Sequence, residues 1–142
     1  MTKEAQILAE NGYTIVVSNG SDVYTSRFRG IAPIIELIDT KPELLNGASA
    51  ADKVIGKAAA MLLYAYGVKE IHTPLASEPA IEFLRNKSIL FSYDKSVKNI
   101  INRDGTDLCP MEKAVLGTND AEEAERLIRN KIEELRRKQS CR

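Results

Sequence analysis

From Ser49 to Gly67 the chain is apolar on nearly every side: Ala50, Ala51, Val54, Ile55, Ala58, Ala59, Ala60, Met61, Leu62, Leu63, Tyr64, Ala65 and Tyr66, interrupted only by Asp52, Lys53, Gly56 and Lys57. A segment with so little polar surface has no solvent face and belongs at the centre of a domain. The run predicts a helix over Ala50–Tyr66 closed by Gly67, with Ser49 and Asp52 at capping-box spacing. Gly56 and the following alanines keep that helix thin enough to approach a sheet. Asp52, Lys53 and Lys57, its few polar groups, are then expected to face a cleft.

The remaining pattern fixes what surrounds it. Thr2–Asn11 has helical spacing and stops at Gly12. Tyr13–Ser18 and Asp22–Phe28 read as strands joined by the hairpin signal Asn19-Gly20. Ile31–Thr40 reads as a helix, and residues 41–48 as a connection. Val68–Thr73 and Ser88–Tyr93 read as strands, separated by a short helix over Ser77–Asn86. Asp94–Ile101 reads as a helical turn and a short strand. Pro110–Leu116 and Asp120–Lys138 are the last helices. Strand–helix alternation in the second half requires right-handed crossovers and parallel pairing, with the hairpin as an antiparallel edge. The expected fold is α/β, three-layer α/β/α with a mixed sheet. Residues 1–118 form the domain, and residues 119–142 form a charged helix and tail packed on it.

Composition narrows the partners. The chain has 142 residues, with 20 basic and 20 acidic side chains and no basic block, which argues against a nucleic-acid polymer. No apolar run approaches the ~18 residues that a membrane span needs. The N-terminus lacks the apolar core of a secretion signal. Cys109 and Cys141 do not make a disulfide framework, so a reducing cytoplasm is the expected compartment. A two-fold homodimer is compatible with so small an α/β domain.

In open α/β sheets, ligands settle outside the carboxyl ends of the strands. That rule gathers three expected helix starts, at Ser49, Ser77 and Cys109. Asp52 is there either as a capping acid or as an acid/base group. Lys53 and Lys57, expected on one helical arc, suit an anionic ligand. Ser77 and Glu78 cap the next helix or line the pocket. Asn102, Arg103 and Thr106 crowd a polar loop before Cys109, which Pro110 places at a helix N-cap. A thiol there is favoured as thiolate. Glu112 falls where it would complete the cap of that same helix. A cysteine nucleophile wants a histidine base, and His72 is the only histidine.

The segments GASAADKVIGKAAAMLLYAYGVK, SEPAIEFL and INRDGTDLCPMEKAVL resemble domain-of-unknown-function family 1893, over about residues 5–118. The resemblance implies a cytidine-deaminase-like fold with no established reaction. Zinc deaminases place His or Cys with an acid at one helix start and P-C-x-x-C at the next. Here the first position falls near Ala50-Ala51-Asp52 and the second at Ser77-Glu78-Pro79-Ala80, without Cys or His, so neither a metal nor another cofactor is expected. The reading is a zinc-free deaminase-like domain that binds a nucleotide or similar anionic metabolite through Lys53, Lys57, Ser77, Glu78, Asn102, Arg103, Thr106 and Glu112. One alternative is a transferase or hydrolase acting on a nucleotide-like substrate through Cys109 or Asp52. The other is an interaction protein without enzymatic activity.

Overall fold

The computed structural model describes residues 2–102 and 105–140. Arg103, assigned above to the ligand loop, lies outside them. Among the described residues the chain runs α1 (Lys3–Asn11), β1 (Ile15–Asn19), β2 (Asp22–Ser26), α2 (Ala32–Thr40), a 3-10 turn (Pro42–Leu44), β3 (Ser49–Asp52), β4 (Val54–Ile55), α3 (Lys57–Ala65), β5 (Glu70–Ser77), α4 (Glu78–Leu84), β6 (Leu90–Val97), α5 (Pro110–Val115) and α6 (Ala121–Ser140).

The hairpin forms as its sequence signals require. β1 and β2 pair antiparallel from Ile15↔Ser26 to Asn19↔Asp22, and Gly20 turns the chain at φ 64°. That angle is open to glycine and strained for other residues. β1 also pairs antiparallel with β3, while β3, β4 and β6 all pair parallel with β5. The sheet is therefore mixed, with β2 at one edge and β6 at the other.

The expected helix over Ala50–Tyr66 is corrected by this sheet. Its first part, Ser49–Ile55, is extended, and only Lys57–Ala65 is helical. Ala50 and Ala51 sit in the middle of the sheet, between β1 and β5, and both are buried. Backbone pairing on two sides overrides the helix preference of alanine. Small side chains are wanted here because α1 packs on one face of β3 and the large core on the other. Consequently Ser49 and Asp52 are not a capping box, and Lys53 and Lys57 do not share a helical arc.

β3 and β4 keep one register against β5: Ala51 faces His72, and Val54 faces Leu75. The interruption at Asp52–Lys53 lies opposite Thr73–Pro74. Proline brings no N–H to the ladder, so pairing lapses where it faces β3. β5 nevertheless continues through Pro74 to Ser77, longer than the expected Val68–Thr73. β6 likewise runs to Val97, and Asp94–Val97 is strand rather than a helical turn.

Two hydrophobic clusters make the layers. Ala5 and Leu8 of α1 pack with Val16 and Ala51 on one sheet face. On the other, Ile15, Val17, Ala50 and Ile71 meet Ile34 and Leu37 of α2, Met61 to Leu63 of α3, Phe83 of α4 and Val115 of α5. Ala124 and Ile128 of α6 complete this core, and Tyr66 donates to Glu125 across the α3–α6 contact at 2.5 Å. The architecture is thus three-layer α/β/α. Because Ile128 is fully buried, Ile128→Ala is expected to lower unfolding free energy by about 2–5 kcal/mol in urea titration. A change below roughly 0.5 kcal/mol, the scale of an ordinary surface substitution, would mean that α6 does not pack as described.

Candidate functional site

The parallel strands β3, β5 and β6 end on one edge of the sheet, followed there by the starts of α3 and α4 and, after β6, by residues 98–102 and 105–109. Asp52 stands at this edge because Pro74 opens the ladder beside it. Its side chain is buried, on the same face as Ile15 and Ala50 by register. Its Oδ1 accepts a long 3.4 Å bond from the Val54 N–H. Burial raises the carboxyl from 3.8 to about 7, against the smaller lowering effect of the Val54 and Lys53 amides. Lys53 points to solvent, while its N–H donates to the Thr14 carbonyl at 2.9 Å.

The N-terminus of α3 is already occupied by an anion. Glu112 reaches across from α5, and its two oxygens accept the N–H groups of Lys57 (2.8 Å) and Ala58 (3.0 Å). This corrects the expectation that Glu112 completes the cap of its own helix. Gly56, the N-cap of α3, makes the approach possible: a Cβ there would lie 2.6 Å from Glu112 Cδ. Lys57 is buried, and its Nζ points at the Leu116 carbonyl at 3.5 Å. Burial lowers its pKa, opposed by the neighbouring Glu112 charge.

Ser77 caps α4 as expected, its Oγ accepting the Ala80 N–H at 3.2 Å, while Glu78 is exposed. In the loop, Asn102 and Thr106 bond each other: Thr106 N–H to Asn102 Oδ1 at 3.1 Å, and Asn102 Nδ2 to Thr106 Oγ1 at 3.4 Å. Both groups therefore hold the turn. Cys109 is half-buried at the N-cap of α5, with Pro110 in its first turn and no capping bond from its side chain. His72 lies on β5 on the α1 side of the sheet, in register with Ala51. There its Nδ1 pairs with Ser92 Oγ at 2.8 Å, and Nε2 is 3.8 Å from Asp94. α5 packs on the opposite face, through Val115. The sheet thus separates His72 from Cys109, and no Cys–His dyad forms.

An open cleft of about 620 Å³ lies between α4 and β6, lined by Glu78, Glu82, Arg85, Tyr93, Lys98 and Asn99 among others. Sequence reasoning reached only Glu78 in this group. Tyr93 ends the strand expected over Ser88–Tyr93, while Lys98 and Asn99 follow in the polar stretch expected as a helical turn and a short strand, which gave neither residue a role. Arg85 is engaged with Glu82 at 2.7 Å, whereas among the described residues Lys98 makes no ion pair.

Fold and site together define a three-layer α/β domain with a ligand-sized cleft at the carboxyl edge of its sheet. The chain belongs to the family described as Domain of unknown function (DUF1893), TM1506, whose profile matches residues 3–132. It is similar to the crystal structure of a DUF1893 family protein (TM1506) from Thermotoga maritima, with TM-score 0.81, 29% identity and 92% of each chain covered. No curated protein matches it. Among the described residues, no group of three or more His, Cys, Asp or Glu side chains could hold a metal ion, and no helix is long and apolar enough to cross a membrane.

Two outcomes follow from this geometry. Glu112→Ala leaves the Lys57 and Ala58 amides buried without acceptors, at about 1–3 kcal/mol each, so its urea midpoint should fall well below that of Glu112→Gln, which keeps one acceptor. Equal midpoints would show that Glu112 does not cap α3. For Asp52, a folded pKa of about 7 against 3.8 means that its contribution is fully present below pH 3.8 and is lost as pH rises through 7. Asp52→Asn keeps the Oδ1 acceptor, so it should remove this slope and be more stable than the parent protein at pH 8. A mutant and parent whose stabilities run parallel from pH 4 to 8 would contradict the raised pKa.

Proposed function

We propose that this chain is a zinc-free, deaminase-like domain that binds a nucleotide or similar anionic metabolite in the cleft between α4 and the end of β6. The observation that supports this reading is the cleft itself. Its volume falls within the range of roughly 300–1,000 Å³ usual for small-molecule sites. It also sits at the sheet edge where open α/β domains bind ligands. Tyr93 offers a half-exposed ring for a base or sugar to lie against, Lys98 offers charge for phosphate or carboxylate, and Glu78 offers acceptors for hydroxyl groups.

The residues present do not fit a zinc ion of the deaminase type. α3 begins at Gly56-Lys57-Ala58 and α4 at Ser77-Glu78-Pro79-Ala80, and neither start carries Cys or His. The helix N-terminus that would face an anion at α3 is held by Glu112, so Lys57 serves that internal contact. A second reading, catalysis of transfer or hydrolysis on a nucleotide-like substrate, rests on Asp52, whose carboxyl near pH 7 can take or give a proton.

Nucleoside monophosphates and sugar phosphates are expected to raise the melting temperature in proportion to the logarithm of their concentration. Ligand at a hundred times its Kd adds about 2.7 kcal/mol to the folded state. Lys98→Ala should abolish most of that shift while leaving the ligand-free melting temperature unchanged. No shift with any of these compounds up to millimolar concentration would contradict the proposal, and an undiminished shift in Lys98→Ala would place the ligand elsewhere.

A further inference from the structure

β6 is an eight-residue strand that pairs with β5 alone. Its register against β5 is constant from Glu70↔Leu90 to Ser77↔Val97, with pairing skipped only where Asp94 faces Pro74. Among the described residues, no strand pairs with its other side. Strands of this kind invite pairing with another strand, and proteins blunt them with bulges, proline, shortness or edge charges. β6 has no bulge or proline and is not short, and of these devices it carries only the charges Asp94 and Lys95. Leu90 is 69% exposed and Tyr93 42%.

The ladder fixes which groups face outward. The Leu90 N–H donates to the Lys69 carbonyl at 2.9 Å, so Leu90 points its backbone at β5. In a parallel pair, successive residues alternate the side to which they present N–H and C=O. Leu90, Ser92 and Ser96 therefore turn their backbone groups to β5, as does Asp94 opposite Pro74 where pairing is skipped, while Phe91, Tyr93, Lys95 and Val97 present both groups outward.

We propose that β6 is the interface of a homodimer, in which two copies pair antiparallel about a two-fold axis at Tyr93 and extend one sheet through both chains. The axis stands perpendicular to the sheet, so paired residues share a face and outward groups meet outward groups. Tyr93 lies opposite the partner's Tyr93, Phe91 opposite the partner's Lys95, and Ile89 opposite the partner's Val97. On the other face Ser92 lies opposite the partner's Asp94. Each pair is favourable: aromatic with aromatic, cation with ring, apolar with apolar, and hydroxyl with carboxylate. No like charges meet in this register, whereas a shift that centres on Asp94 or Lys95 sets two like charges face to face.

The same pairing completes the cleft. Tyr93 lines it, so a two-fold axis at Tyr93 brings the two clefts together, and each gains a wall from the partner's β6. The dimer does not depend on which ligand the cleft takes.

Sedimentation of the full chain without ligand tests this. A monomer–dimer equilibrium is expected below about 100 μM, and a monomer throughout that range would overturn the proposal. Lys95→Pro removes an outward N–H that β5 does not use, so it should leave the circular dichroism intact. It should also raise the dimer dissociation constant by about ten-fold or more. A folded Lys95→Pro that dimerises as well as the parent protein would place the interface elsewhere. Should that variant fail to fold, a chain with Cys109 and Cys141 replaced by serine and Tyr93→Cys gives the answer. Paired across the axis, the two Cα atoms stand at about 5.5 Å, within disulfide reach. Oxidation is expected to yield a covalent dimer, and its absence, or equal yield from Asp94→Cys, would overturn this register.

Discussion

The bond from Glu112 to the start of α3 is the constraint on which the rest of the molecule depends. α3 is the central helix, buried from Lys57 through Leu63, and a buried helix start leaves N–H groups with no water to satisfy them. Short-range capping is ruled out because Gly56 has no side chain. The acceptor comes instead from α5, more than fifty residues away in sequence. Each oxygen takes one amide, a charge-assisted pair set in the positive field of the helix. This single carboxylate ties the C-terminal part of the chain to the first parallel crossover. It also fills the position where an external anion would otherwise sit.

That internal occupancy divides the carboxyl edge of the sheet into two regions. Around α3 the polar groups are committed: Lys57 to Leu116, its amide to Glu112, and Ser77 to α4. Toward β6, Arg85 pairs with Glu82, but Glu78 and Lys98 make no ion pair among the described residues, and there the cleft opens between them and Tyr93. Asp52 stands between the two regions. It is a buried acid at a gap in the ladder, and the gap exists because Pro74 has no N–H to give. Burial without a cation keeps its proton near neutrality, a property that a purely structural cap does not require.

Much of this was legible in the residues. The hairpin at Asn19-Gly20, the parallel second half, and the N-caps at Ser77 and Cys109 follow from local signals that the tertiary structure respects. The errors share a physical cause. Ser49–Asp52 is unreadable as a strand because one buried on both faces and built from alanine carries neither the alternation nor the branched side chains that mark a strand. Pro74 looks like a terminator, yet β5 passes through it where no partner amide is needed. Asp94-Lys95-Ser96 reads as a helical turn because an edge strand in water tolerates polar residues on both faces and so loses its alternation. Glu112 sits at a spacing that a local cap would also use. A glycine directly before a buried helix start was the available sign that the cap is supplied from elsewhere.

The central claim is that the cleft beside β6, and not the start of α3, is where an anionic ligand is held. Amide chemical shifts followed by NMR during titration with a nucleoside monophosphate test it most directly. Saturable shifts are expected at Glu78, Tyr93, Lys98 and Asn99, with the Lys57 and Ala58 amides unmoved on their Glu112 acceptors. Saturable movement of Lys57 and Ala58 with the cleft residues silent would contradict the account.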